Sequence, residues 1–223
     1  MNKIKLNYEK YVCEYVNKLY PNKFSSNNNR HKYSIEKVVN TLYYILKSGV
    51  SYRDCISKMS KSAIHYHANF FAKHNIFKKV YCELLTEYAN TGNKDKFKLQ
   101  STDTSFIPNN NGISKIGRNK YYRNKRGSKL SVIVDSNGIP ISCNLYCGNV
   151  NDAVCGATDI KHFFINVNTN KYDKSNRYIH YIMGDKAYDS KKLRKLYTEL
   201  GYTPIIDFNR RNTQNPDKIK TLT

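Results

Sequence analysis

Lys129-Leu-Ser-Val-Ile-Val-Asp-Ser-Asn-Gly-Ile-Pro-Ile-Ser-Cys-Asn-Leu145 is the stretch that decides the fold. Lys129–Asp135 reads as a strand, Ser136-Asn-Gly138 as a turn and Ile139–Leu145 as the returning strand, so the segment is a hairpin or part of a meander. Upstream, Phe97–Ile107 alternates apolar and polar residues, as a strand does. Downstream come a helix over Ala157–Phe164, a strand over Tyr178–Met183, an amphipathic helix over Ser190–Leu200 stopped by Gly201, and a strand over Thr203–Phe208. Three strands followed by helix, strand, helix and strand is the order of a mixed sheet with helices on its faces, an α+β fold.

The period is helical up to about residue 92 and changes after Gly92-Asn-Lys-Asp95, which predicts a helical domain over 1–92 and a sheet domain over 93–223. Leu6, Val12, Tyr15, Val16 and Leu19 share one helical face before Pro21, and a polar loop through Asn27–Asn29 follows. Ser34 is placed to cap a second helix striped by Val38, Val39, Leu42, Ile45 and Leu46, with Gly49 as its stop. Ser51-Tyr-Arg-Asp54 fits a capping box opening a short third helix, Ser62 fits the cap of a fourth, and Phe77, Val80, Tyr81, Leu84, Leu85 and Tyr88 stripe the last. Helices near 34–48, 52–59 and 63–74 have helix-turn-helix spacing, with the third as candidate recognition helix; a plain helical bundle has the same spacing. His65, His67 and His74 on that helix read as surface or phosphate-contacting groups rather than metal ligands.

The chain carries 38 Lys and Arg against 17 Asp and Glu in 223 residues, a net charge of +21 that points to a polyanionic partner. Nothing approaches the roughly 20 apolar residues of a membrane span, and Met1–Leu6 lacks the apolar core of a signal peptide, so a soluble intracellular protein is expected, its compartment left open. Six cysteines form no Cys-x-x-Cys pair and read as buried reduced thiols; chelation by Cys143, Cys147 and Cys155 is the weaker alternative.

Two aspartates carry the chemistry. Asp103 in Ser101-Thr-Asp-Thr-Ser-Phe-Ile107 and Asp185 in Tyr181-Ile-Met-Gly-Asp-Lys-Ala-Tyr-Asp-Ser190 lie in or just after apolar runs that read as buried strands, where a carboxylate calls for a compensating cation. Side by side in a sheet they would share a metal, and hard oxygen ligands suit Mg²⁺ or Mn²⁺ in two-metal phosphoryl transfer. Between the first two strands a long loop carries Lys115, Arg118, Lys120, Arg123, Lys125, Arg126 and Lys129 with Tyr121 and Tyr122, able to grip a phosphate backbone and stack on an exposed base. Lys186, Lys191, Lys192, Arg194, Lys195, Arg210 and Arg211 add cations that could equally be helix-surface charges.

These residues resemble the DDE transposases of bacterial-type insertion sequences, most like insertion-sequence family five, whose catalytic domain is ribonuclease-H-like. Ser101-Thr-Asp-Thr-Ser105 resembles the family's first block and Gly184-Asp-Lys-Ala-Tyr-Asp-Ser190 its second, which makes Asp103 and Asp185 metal-binding catalytic residues. Gly148-Asn-Val-Asn-Asp152 resembles the family's Gly-Asn-x-His-Asp turn, with Asn151 where His is usual and Asp152 in a supporting role. Lys37–Asp54 is similar to the helical segment that precedes the catalytic domain. The resemblance implies binding to terminal inverted repeats of double-stranded DNA, metal-dependent strand cleavage, strand transfer into target DNA, and a homo-oligomer on DNA. It also implies a third acid, a Glu in a Tyr-x-x-Arg-x-x-x-Glu-x-x-x-x-x-x-Lys pattern, which this sequence does not show; Glu199, Asp207 and Asp217 are poor substitutes. The expectation is a C-terminally incomplete domain that binds DNA and is weak or inactive in cleavage, with a non-catalytic DNA-binding remnant or repressor as the alternative.

Overall fold

The computed structural model describes residues 8–24, 33–90, 94–109, 113–166 and 180–209. The chain divides into two compact units, Met1–Leu84 and Leu85–Thr223.

The first unit is helical: α1 (Tyr8–Leu19), α2 (Ile35–Ser48), α3 (Lys61–Lys73) and most of α4 (Ile76–Asn90). Val12 and Val16 of α1, Val38, Val39 and Leu42 of α2, Ile64 and Phe71 of α3 and Ile76 and Val80 of α4 make one core, the result of apolar residues recurring at helical spacing. Ser34 caps α2 by accepting the Lys37 N–H, and Gly49 ends it at φ 68, both as the sequence predicts. The predicted third helix is not formed. Residues 52–54 are a turn, because the Ser51 hydroxyl donates to the Asp54 carboxylate at 2.6 Å while also accepting the Arg53 and Asp54 N–H groups; local side-chain bonds here compete with a helix. The following cap is Ser60, not Ser62. α2 and α3 are therefore joined by an irregular segment, and the three-helix spacing of a helix-turn-helix is absent among the described residues.

The second unit is a mixed sheet of six strands: β1 (Leu99–Pro108), β2 (Gly117–Asn119), β3 (Lys125–Val134), β4 (Pro140–Cys147), β5 (His180–Gly184) and β6 (Tyr202–Ile206). The order is β2-β3-β1-β5-β6, with β4 also on β3. β1 pairs antiparallel with β3 and parallel with β5, and β5 pairs parallel with β6. The α+β reading holds, and β2 is a strand that the sequence conceals. Helix α5 (Asp152–Asn166) packs on β3 and β4, and α6 (Lys191–Glu199) packs on β6 and on α5. On that face Thr102, Phe106, Ile133 and Tyr188 are buried, whereas Leu99, Ile107, Tyr181, Met183 and Ile205 alternate to the other face and are exposed. The expected start of β5 at Tyr178 lies outside the described residues.

α5 is held to the sheet by polar bonds. Asp159, fully buried, accepts hydrogen bonds from Tyr146 Oη at 2.6 Å, Asn144 Nδ2 at 2.7 Å and the Ser131 hydroxyl. A carboxylate can be kept inside only when its acceptor sites are filled in this way.

Candidate active site

Asp103 lies within β1, and Asp185 directly follows the parallel neighbour β5. The last register pair between β1 and β5 is Ser101↔Met183, and each aspartate lies two residues beyond its member of that pair. The equal offset places the two aspartates at corresponding positions just past the paired part of the two chains.

The expectation of burial is corrected: both side chains are exposed, because the alternation of β1 turns Thr102 and Thr104 toward α5 and Tyr188, and Asp103 away from them. Asp103 Oδ1 accepts the Thr104 N–H at 2.7 Å. Asp185 caps the single 3₁₀ turn Lys186–Tyr188, its Oδ1 accepting the Ala187 N–H at 2.8 Å. Tyr188 anchors that turn from below, buried against Gly184 and Gly156. Neither aspartate joins an ion pair among the described residues. The hard carboxylate oxygens of both residues are of the kind that Mg²⁺ or Mn²⁺ takes. No group of three His, Cys, Asp or Glu fit to hold a metal occurs among the described residues. Glu199 is exposed at the end of α6 and lies 3.7 Å from Lys195; Asp207 pairs with Lys186 at 3.0 Å. Asp217, Arg210 and Arg211 lie outside the described residues.

Asp152 supports this end of the sheet. One of its oxygens accepts both the Thr104 hydroxyl at 2.7 Å and the Lys129 ammonium at 2.6 Å. Lys129 is thereby removed from the phosphate-gripping set: it is only 8% exposed, with its ammonium spent on Asp152 and on the Val150 carbonyl. Asn151, standing where the resembled family has His, accepts the Ala153 N–H and so caps α5.

The rest of the basic segment is a built hairpin. Residues 120–124 connect β2 to β3: a 3₁₀ turn over Lys120–Tyr122 capped by Asn119, then Arg123 and Asn124 in left-handed conformations, φ 54 and 56. Tyr122 stacks on Phe106 at 4.8 Å, the Asn119 amide donates to the Gly148 carbonyl, and Ser128 donates to the Lys115 carbonyl. Arg118, Lys120, Arg123, Lys125 and Arg126 project into solvent, with Tyr121 86% exposed.

Other expectations need correction. His67 is buried and stacks on Phe24, while His74 is hydrogen-bonded to Tyr20; only His65 is an exposed histidine of that helix. Cys13 and Cys155 are buried free thiols, but Cys143 is exposed, since β4 turns it away from α5. None of the helices among the described residues is long and apolar enough to cross a membrane.

Residues 95–222 match the family model described as the transposase DDE domain. No curated protein matches the chain in sequence. Among solved structures, a piggyBac transposase synaptic complex with hairpin DNA aligns over 96% of this chain and 44% of its own, at 13% identity and TM-score 0.44. The catalytic domain of Mos1 mariner transposase aligns over 58% of each chain, at 12% identity and TM-score 0.35. The chain thus spans about half the length of these solved relatives. Since the family match takes in more than half of the sequence and contains both aspartates, the chain belongs to the transposase DDE-domain family.

Proposed function

We propose that this chain binds the terminal repeats of a mobile element of the insertion-sequence-five type and carries out metal-dependent strand cleavage and transfer there, on a ribonuclease-H-like sheet. The observation that carries this reading is the equal offset of Asp103 and Asp185 from the last register pair of β1 and β5. Their free carboxylate oxygens would hold Mg²⁺ or Mn²⁺, which when bound activates the attacking oxygen and stabilises the leaving one at a phosphodiester. Thr104 and the Lys129–Asp152 pair fix the strand that presents Asp103, and the 3₁₀ turn presents Asp185.

Arg118, Lys120, Arg123, Lys125 and Arg126 bind the DNA backbone, Tyr121 and Tyr122 stack on bases, and Lys186 adds a cation beside Asp185. The net charge of +21 supports a polyanionic partner. Two DNA ends held together require two copies, so a homo-oligomer forms on DNA, and the helical unit contributes to DNA binding.

A second reading is a DNA-binding protein without cleavage activity. It is favoured by the lack of a third metal-ligating side chain among the described residues. Labelled DNA bearing the element's ends, incubated with Mg²⁺ or Mn²⁺, decides between them. Nicking that disappears in Asp103→Ala and Asp185→Ala supports the enzyme; end-specific binding that both variants retain, without nicking in the parent, supports the binding protein.

A further inference from the structure

We infer that Asp189 and Arg194 form a positioning clamp that holds the turn carrying Asp185 level with Asp103; this rests on the metal-site reading above. The Asp189 side chain is only 10% exposed. Its Oδ1 accepts both Arg194 Nε at 3.0 Å and a terminal guanidinium nitrogen at 2.9 Å, and its Oδ2 accepts the Asn209 N–H at 2.8 Å. The same guanidinium donates to the Ile206 carbonyl at 2.8 Å and lies over the Phe208 ring at 5.0 Å. The Asn209 amide reaches back to the Lys186 carbonyl at 3.4 Å. One ion pair therefore ties the Asp185 turn, the first turns of α6 and the chain leaving β6 at a single point.

The carboxylate pair gives that tie a purpose. Two ionised aspartates equally offset past the paired part of neighbouring chains would repel when brought to one level, and a single 3₁₀ turn has few bonds with which to resist. Tyr188 fixes the turn on its buried side against α5, and the Asp189–Arg194 pair ties the residue after the turn to α6. A permanently charged guanidinium that brings two nitrogens to one oxygen of a nearly buried carboxylate makes a charge-assisted bond with a defined direction. The clamp thus preorganises a metal site from behind, as supporting residues do when they orient ligands they do not replace. A simple staple of β6 to α6 would have the same contacts but no effect on metal affinity.

The test measures Mn²⁺ binding by electron paramagnetic resonance on the full chain for the parent, Asp103→Asn, Asp189→Asn and Arg194→Lys, with amide hydrogen exchange on the metal-free proteins. The expected result is binding lost in Asp103→Asn and weakened about 10–100-fold in Asp189→Asn and Arg194→Lys. Exchange at Ala187 and Tyr188 should accelerate in both clamp variants while β3 and β4 amides stay protected. If Asp189→Asn does not fold, Arg194→Lys, which keeps the charge and loses the two-nitrogen contact, carries the test. Folded clamp variants that bind Mn²⁺ like a parent whose binding needs Asp103 overturn the clamp alone. A parent that binds no Mn²⁺, or binds it equally in Asp103→Asn, overturns the metal site and the clamp with it.

Discussion

Lys129 and Asp152 form an ion pair of 2.6 Å in the layer between β3 and α5, their side chains 10% and 22% exposed, and the same aspartate oxygen takes the hydroxyl of Thr104, the neighbour of Asp103. Removing the lysine leaves a mostly buried carboxylate with a hydroxyl as its remaining partner. Lys129→Ala should therefore lower stability by about 2–4 kcal/mol, measured by urea unfolding. Arg126→Ala, on the exposed end of the same strand, should leave the unfolding midpoint where it was.

On the β2–β3 hairpin the cations are aligned by a fixed turn rather than spread along a loose loop. Single alanine replacements of Arg118, Arg123, Lys125 or Arg126 should each reduce the salt slope of DNA binding by about one ion and weaken binding to any sequence alike. Tyr121→Ala should instead weaken binding to single-stranded or unpaired ends, by about 1–3 kcal/mol, with little change in salt slope. Fluorescence anisotropy over a series of salt concentrations separates the two effects.

What could be read from the sequence was whatever local periodicity controls. The β3–β4 hairpin, the α2 caps at Ser34 and Gly49 and the contexts of Asp103 and Asp185 all follow from neighbours along the chain. What could not be read depends on partners far away. Lys129 looks like one more loop cation until α5 brings Asp152 to it; β2 is only Gly117, Arg118 and Asn119, made into a strand by pairing with β3; Asp189 and Arg194 meet through the α6 turn and gain purpose from Asn209 and Ile206. The short third helix failed for the opposite reason, a capping signature whose Ser51 and Asp54 satisfied one another instead.

Gly148 follows β4 and still runs close beside β3, its N–H on the Gly127 carbonyl. A Cβ there would fall 2.6 Å from the Gly127 carbonyl oxygen and 2.7 Å from the Phe106 ring, which itself supports Tyr122. Backbone cannot yield as a flexible side chain can, so Gly148→Ala should cost about 1–3 kcal/mol and also disturb the hairpin, lowering DNA affinity. Gly138→Ala, at φ 75 with nothing within 4 Å of the new methyl, should show only the roughly 1–2 kcal/mol penalty of a left-handed residue, with DNA binding intact. A Gly148→Ala chain with parental stability would show that β3 and the ring can separate.

Alkaline pH should unfold this protein through its tyrosines. Burial pushes Tyr8 up from its usual 10.0 to about 12, and burial likewise raises Tyr188, Tyr197 and Tyr202 in the sheet unit. Each folded-state value lies above the unfolded one, so folding favours the neutral phenol; that stability is fully present below pH 10 and is lost as pH climbs beyond it. Part of the tyrosinate absorbance should therefore appear only together with loss of circular dichroism. The Tyr197 hydroxyl is buried and makes no hydrogen bond among the described residues, so Tyr197→Phe should change neutral stability by no more than about 1 kcal/mol. The same variant should move the alkaline midpoint upward, because one of the groups whose ionisation drives unfolding has been removed. Full tyrosinate absorbance developing in one wave with the circular dichroism unchanged would contradict the burial of these rings.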